Sequence, residues 1–231
     1  MNRTLNVVRM QLINTQTYAW VPLLVMGSAL VISVAIFGIL DSAGLDGPKY
    51  GGGLQAPLWY FLAVGIQALT LTFPFSQAMS VTRREFFAGT VLTAALSSLA
   101  QAVIVVIGGL IEQATGGWGV NGYFFYLPWM WEAGPLGAAL AFFSAAMFIF
   151  LAGFAAATIY KRFGALMVTA VLVGIALALV GIVWLITATQ SWQAIAEGLV
   201  GLSALGLAAI GLVASAALAG SSFLTLRRAI P

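Results

Sequence analysis

Charge is what this chain has least of. Nine basic and six acidic residues are spread over 231 positions, 6% of the total, where an ordinary globular chain carries about 25%. So few charges cannot clothe a water-facing surface. That excludes a soluble enzyme and a nucleic-acid-binding domain, although the isoelectric point is near 9.5. Cysteine and histidine are both absent. Their absence removes disulfides, thiolate or imidazole metal sites, haem ligation by either residue, and triads built on histidine. What is present is apolar: 62% hydrophobic residues and a mean hydropathy of +1.06. The composition is that of a polytopic membrane protein.

A spanning helix needs about 20 mainly apolar residues, because the hydrocarbon core is about 30 Å thick. Six segments meet that need: Ala19–Leu40, Pro57–Met79, Phe87–Ile111, Gly134–Ile159, Phe163–Thr187 and Leu199–Leu224. Between them lie breaks at Asp41–Gln55, Ser80–Glu85, Glu112–Ala133, Tyr160–Arg162 and Ala188–Gly198. Barrel strands would alternate apolar and polar over about 10 residues, which these runs do not. The expected architecture is all-α, one transmembrane domain over 1–231. The first span is too long for a signal-peptide core and no small-x-small cleavage site follows it, so an uncleaved anchor is expected.

The charges orient the spans. Arg3, Arg9, Arg83, Arg84, Lys161, Arg162, Arg227 and Arg228 fall on one side, whereas Lys49 stands alone on the other with Asp41, Asp46, Glu112, Glu132 and Glu197. The positive-inside rule places the eight, and both termini, in the cytoplasm. All fifteen charges are expected in breaks, span ends or tails. Ionisable residues within spans mark proton relays and ion pathways, so neither ion coupling nor intramembrane proteolysis finds its residues here.

Uncharged polar residues do lie within spans. Gln67, Thr70, Pro74 and Gln77 share one helical face of the second span, and Thr93, Ser97 and Gln101 share one in the third. Two readings stand: hydrogen bonds between helices, worth about 0.6 kcal/mol each, or a polar pathway lined by Gln67, Thr70 and Gln77, with Pro74 allowing a kink. In the sixth span Gly201, Ala204, Gly206, Ala208, Gly211, Ser215 and Gly220 allow close approach of helices, within the bundle or at a dimer face.

The segment Ser80–Thr90 reads Ser-Val-Thr-Arg-Arg-Glu-Phe-Phe-Ala-Gly-Thr. A basic turn that sets topology needs only Arg83 and Arg84. Glu85, Phe86 and Phe87 beside them add charge and an aromatic knob, the elements of a docking contact on a short amphipathic helix. Here the chain resembles the membrane subunit of a type-2 ATP-binding cassette (ABC) exporter. The resemblance spans the whole length, with six spans, both termini inside and a lead-in before the first span. It is sharpest at Arg84-Glu85 followed by Gly89-Thr90, similar to the Arg-Glu then Gly-Thr pattern after the family's second span. In that family the loop is a coupling helix seated in a cleft of the ATPase. By resemblance Thr82, Arg83, Arg84, Glu85 and Phe86 would make that contact.

Residues 1–18 would form the family's interfacial helix, with Leu5, Val8 and Leu12 as its apolar stripe and Asn6, Gln11 and Asn14 away from it. A plain flank of a signal anchor is the alternative. The resemblance further implies a second copy or a similar permease, two separate ATPase subunits carrying ATP and magnesium, no cofactor on this chain, and a plasma membrane. The chain itself contains no Gly-x-x-x-x-Gly-Lys-Ser/Thr phosphate loop. The scarcity of lysine beside abundant alanine and glycine points to a bacterial source.

The chain departs from the family between the fifth and sixth spans. Many members carry two re-entrant helices there, and here the break is about ten residues. The long external segment lies instead between the third and fourth spans, carrying Trp118, Tyr123, Phe124, Phe125, Tyr126, Pro128, Trp129 and Trp131. Trp118, Tyr126, Trp129 and Trp131 form either an interfacial anchor or an external cap over the exit. An apolar interior with Gln and Thr stripes suits an amphipathic or hydrophobic cargo such as a drug, lipid or peptide. The competing reading is a non-transport membrane protein (assembly, immunity or sensor partner) acting by helix–helix contact. An enzyme acting on lipid, or a channel without charged rings, has less in its favour.

Overall fold

The computed structural model describes residues 3–227, apart from the side chains of 199 and 200. Residues 1 and 2 of the expected interfacial helix, and Arg228, lie outside the described residues. In chain order the elements are α1 (Arg3–Ile13), a wide turn (Gln16–Trp20) with i to i+5 hydrogen bonding, α2 (Val21–Ser42) and β1 (Lys49–Tyr50). Next come α3 (Gln55–Gln67), a second wide turn (Ala68–Thr72), α4 (Phe73–Ala78) and α5 (Arg83–Ala114). After a left-handed turn follow β2 (Gly122–Tyr123), α6 (Pro128–Trp131), α7 (Gly134–Phe163), α8 (Ala165–Ala188), α9 (Trp192–Gly201) and α10 (Ala204–Leu226). Among the described residues six helices are long and apolar enough to cross a membrane: Gln16–Ser42, Gln55–Ala78, Arg83–Ala114, Gly134–Phe163, Ala165–Ala188 and Ala204–Leu226. This is a mostly helical, multi-pass membrane protein.

The helices outrun the apolar segments because capping and turns, not hydropathy, set their ends. α5 starts at Arg83 behind a Thr82 cap, so the third span begins inside the expected break. α7 continues through Lys161 and Arg162, whose charges suit a helix C-terminus, and the chain reverses at Gly164, which takes φ +81°. The expected break at Ala188–Gly198 is corrected most. A ten-residue helix, α9, occupies it, and the last span starts at Ala204, where the Ser203 hydroxyl accepts the Gly206 N–H at 3.2 Å.

α7 is the hub of the bundle, packing against α3, α5 and α10. Its contact with α3 is backbone on backbone. A Cβ on Gly65 would strike the Phe150 carbonyl, and one on Gly153 the Leu62 carbonyl. Against α10, the Ser144 hydroxyl donates to the Ala208 carbonyl at 2.8 Å and sits where a Cβ on Gly211 would have to go. Ala204, Ala208, Ser215 and Ser222 are buried along that face of α10. Gly201 and Gly220 have open space in front of them, so the small residues of the last span pack on one face only. α8 buries no residue at all.

Near the expected kink of the second span the helix changes its hydrogen bonding one turn before Pro74. Pro74 has no N–H to donate back along the helix, and the backbone widens into the turn at Ala68–Thr72 just before it. Such a turn adds a residue per turn, so Gln67 and Thr70 no longer share a face with Gln77.

The molecule has two unlike ends. Arg3, Glu85, Arg83 and Arg227 meet at one, through the Arg3–Glu85 contact at 4.0 Å and the hydrogen bond from Arg83 Nη1 to the Arg227 carbonyl at 2.9 Å. At the other, β1 pairs in parallel with β2, Lys49 opposite Gly122 and Tyr50 opposite Tyr123, beneath a cluster of aromatic rings.

Candidate functional site

At the arginine end the chain turns sharply through Ser80, at φ +58°. Thr82 and Glu85 then close a reciprocal cap. The Thr82 hydroxyl oxygen accepts the Glu85 N–H at 3.3 Å, and Glu85 Oε2 accepts the Thr82 N–H at 2.9 Å and its hydroxyl at 2.7 Å. The Thr-x-x-Glu spacing is a sequence signal for this box, and it shows that the segment starts the third span instead of forming a separate short helix. One expected contact residue is thereby corrected. Phe86 is wholly buried, set edge-on against Phe73 with ring centres 5.1 Å apart, so it is no exposed knob. Glu85 is engaged in its own cap. Arg83 is turned toward the Arg227 carbonyl. Arg84 remains exposed.

Gly89 and Thr90, one turn on, seat α1. A Cβ on Gly89 would run into Val7 and come within 3.1 Å of the Thr4 carbonyl. The Gln11 amide donates to the Thr90 hydroxyl at 2.9 Å. Leu5 and Leu12 of the expected stripe of α1 lie on its outer surface, whereas Val7, Val8 and Gln11 are buried; the correction is to Val8 and Gln11. Gln11 faces inward because a span offers it a hydroxyl partner, which a helix lying on a surface would not have. The Gly-Thr pair is therefore a docking seat for α1, with glycine supplying the room and threonine the hydrogen bond.

The proposed pathway residues do not form one lining. Gln67 reaches a small pocket beside α1, Thr70 donates to the Ile66 carbonyl of its own helix at 3.0 Å, and Gln77 closes the turn by donating to the Val81 carbonyl at 3.0 Å. In α5, Thr93 and Gln101 are buried and Ser97 half-buried, so that stripe does face inward.

The aromatic end is built around one of the five acids on the side opposite the arginines, Glu112. Glu112 lies at a span end, as expected of the charges, but its side chain is wholly buried. Its Oε1 accepts the Trp118 indole N–H at 2.8 Å and the Phe124 backbone N–H at 2.9 Å. Its Oε2 accepts the Phe125 and Tyr126 backbone N–H groups at 2.7 and 2.8 Å. Four N–H donors on one carboxylate compensate much of the cost of burying it. A turn earlier, Gly108 and Gly109 leave the space that the Phe125 and Trp131 rings fill. Trp118 itself takes φ +61°, a strain of about 1–3 kcal/mol for a non-glycine residue, held by its bond to Glu112. Lys49, also buried, donates to Asp41 Oδ1 at 2.7 Å and to the Val120 carbonyl at 2.9 Å.

The aromatic segment thus folds over the end of α5 and is fastened to it through Glu112. Trp131 is buried, which takes it out of the expected interfacial group, and Trp118 and Tyr126 are half-buried. Trp129, 55% exposed, retains that position. Beneath this segment an apolar pocket of about 140 Å³ is lined by Leu54, Leu58, Leu127, Trp129 and Phe142. Glu112 and the Gly108-Gly109 pair were missed because an acid next to a span end looks like a surface charge. The available signal was a glycine pair one turn before a lone acid, followed by a glycine-rich aromatic run. No protein-family model matches the chain, and neither a curated protein nor a solved structure matches it.

Proposed function

We propose that this chain is the transmembrane subunit of an ABC exporter of the type-2 kind, moving an amphipathic or hydrophobic cargo with energy from separate ATPase subunits. In this reading the arginine end faces the cytoplasm of a bacterial cell, the aromatic end faces outward, and the chain pairs with a second copy or a similar permease. The observation that carries it is the corner where α1 is seated on Gly89-Thr90, because it gives the Arg-Glu and Gly-Thr residues a mechanical purpose. The reciprocal cap stiffens the start of α5 and leaves Arg84 outward as the contact for a partner.

The same helix supplies a transmission path. α5 runs 32 residues without interruption, about 48 Å at 1.5 Å per residue. It carries the corner at its start and Gly108, Gly109 and Glu112 near its end. A push on Arg84 when ATP closes the partner subunits would travel along one rod to the residues that hold the cap. Rigid-body transmission of this kind needs an unbroken element joining the two sites. The chain binds no nucleotide in this scheme; ATP and magnesium stay on the partner.

The test is co-purification of the chain with an ATPase encoded beside it, followed by Arg84→Glu. Loss of cargo-stimulated ATP hydrolysis, with the complex still folded, is the expected result. A chain that never associates with an ATPase, or a variant with unchanged coupling, ends the proposal. The alternative, a membrane protein that acts through helix–helix contacts alone, draws its support from α8, which offers its whole circumference to other helices. It expects Arg84→Glu to be silent.

A further inference from the structure

The two wide turns in the first and second spans converge on one pocket. Thr17 and Tyr18 come from the turn at Gln16–Trp20, Leu71 and Thr72 from the turn at Ala68–Thr72, with Gln11, Asn14 and Gln67 beside them. Turns of this width are rare and concentrate at functional positions; here both open onto the same space. The pocket holds about 60 Å³, room for a few waters or for one hydroxymethyl or carboxamide group. The Gln11 carbonyl oxygen is buried without a hydrogen-bond partner, although the amide nitrogen of the same group bonds Thr90. A buried acceptor left open is costly unless something donates to it. The lining is polar but includes no Asp, Glu, Lys or Arg, while Met10 and Leu71 supply apolar walls.

We propose that this pocket binds the uncharged hydrogen-bonding head, an alcohol or primary amide, of an aliphatic molecule dissolved in the membrane. The reasons are complementary. The Gln67 and Asn14 side chains that line the pocket offer such a head donors and acceptors, and a charged head would find no counter-ion. The pocket lies roughly 10–15 Å along the span from Ala78 at the arginine end, within reach of a molecule that enters sideways from the lipid. Tyr60 holds the first turn in place by donating to the Thr17 carbonyl at 3.1 Å, so the pocket is fixed by the fold and not by its ligand. The inference deepens the transport reading by naming the part of a cargo that this chain holds. It rests on that reading only for the purpose of binding; a chain that binds the alcohol but no ATPase keeps the site and loses the transport role.

The experiment uses the purified full chain in phosphatidylcholine nanodiscs and a 1-decanol carrying a diazirine at mid-chain. Photolabelling is expected within 10–18 and 66–72, competed by decanol and decanamide but not by decane or decanoate. Gln11→Leu, which removes the hydrogen bond to Thr90 that fixes this wall of the pocket, should lower labelling roughly fivefold, the effect of about one lost buried hydrogen bond. Gln67→Met, at a half-buried position, should lower it as well if Gln11→Leu does not fold. Thr169→Val on α8 should leave it unchanged. Labelling spread evenly over α8, equal competition by decane, or indifference to both glutamine variants overturns the proposal.

Discussion

α7 and α8 are consecutive helices joined at a single glycine, yet they live in different surroundings. α8 is the more apolar, with a mean hydropathy of 2.8 against 2.2 in their most apolar stretches, but it buries none of that stretch while α7 buries half. In water the more apolar helix would be the core. In lipid the order inverts, because hydrocarbon covers Leu and Val as well as a neighbouring helix does, and association relies on close approach and hydrogen bonds. α7 has both, through Gly153 against the Leu62 carbonyl and Ser144 on the Ala208 carbonyl. On α8, Gly174 and Gly181 meet nothing within 4 Å. Hydropathy thus reports which segments insert, and the placement of small and hydroxylic residues reports which of them pack.

The largest effect expected from this contrast is at a buried ring. Phe150 on α7 is 1% exposed and Leu172 on α8 is 60% exposed. Phe150→Ala should cost about 3–5 kcal/mol in unfolding of the purified protein, and Leu172→Ala close to nothing. Equal losses would break the contrast by showing α8 to be packed. A charge tests the lipid face directly. Leu177, 67% exposed near the middle of α8, changed to Arg should cost about 2.5–3.5 kcal/mol of insertion, read as a lower fraction of membrane-inserted chain; full insertion would mean that α8 borders water.

A smaller effect separates the glycines. Gly153→Val forces a side chain against backbone and should lower stability by about 1–3 kcal/mol, whereas Gly174→Val has open space and should be neutral in thermal melts. The smallest concerns hydroxyls. Ser144→Ala removes an interhelical hydrogen bond worth about 0.6 kcal/mol. Thr169→Ala removes only a bond to the Ala165 carbonyl of its own helix and should not register. A Thr169 effect larger than that of Ser144 would reverse the assignment of the two helices.

Much of the framework was legible without coordinates. Six spans, the grouping of arginines at one end and the aromatic segment at the other follow from hydropathy and charge counting, because insertion depends on the composition of one segment at a time. The residues joining those segments were less so. The spacing of α1 puts Gln11 on its polar face, and only its seat beside Thr90 turns it inward. The local sequence offers Phe86 as a knob, yet it is buried against Phe73. α9 lay in an expected loop.

Glu112 marks the boundary most clearly. By composition it is an acid at the end of an apolar run, indistinguishable from Glu132 further along the same segment. Its burial depends on backbone N–H groups from Phe124, Phe125 and Tyr126, 12 to 14 residues away, and on a cap that folds back over a glycine pair. The sequence alone determined that the chain inserts, how many helices cross, and which end carries the positive charge, since each is a property of a local stretch meeting lipid or water. Tertiary structure decided which polar groups find partners, which spans pack and which face lipid, because those outcomes depend on residues distant in the chain being brought within hydrogen-bonding or van der Waals reach.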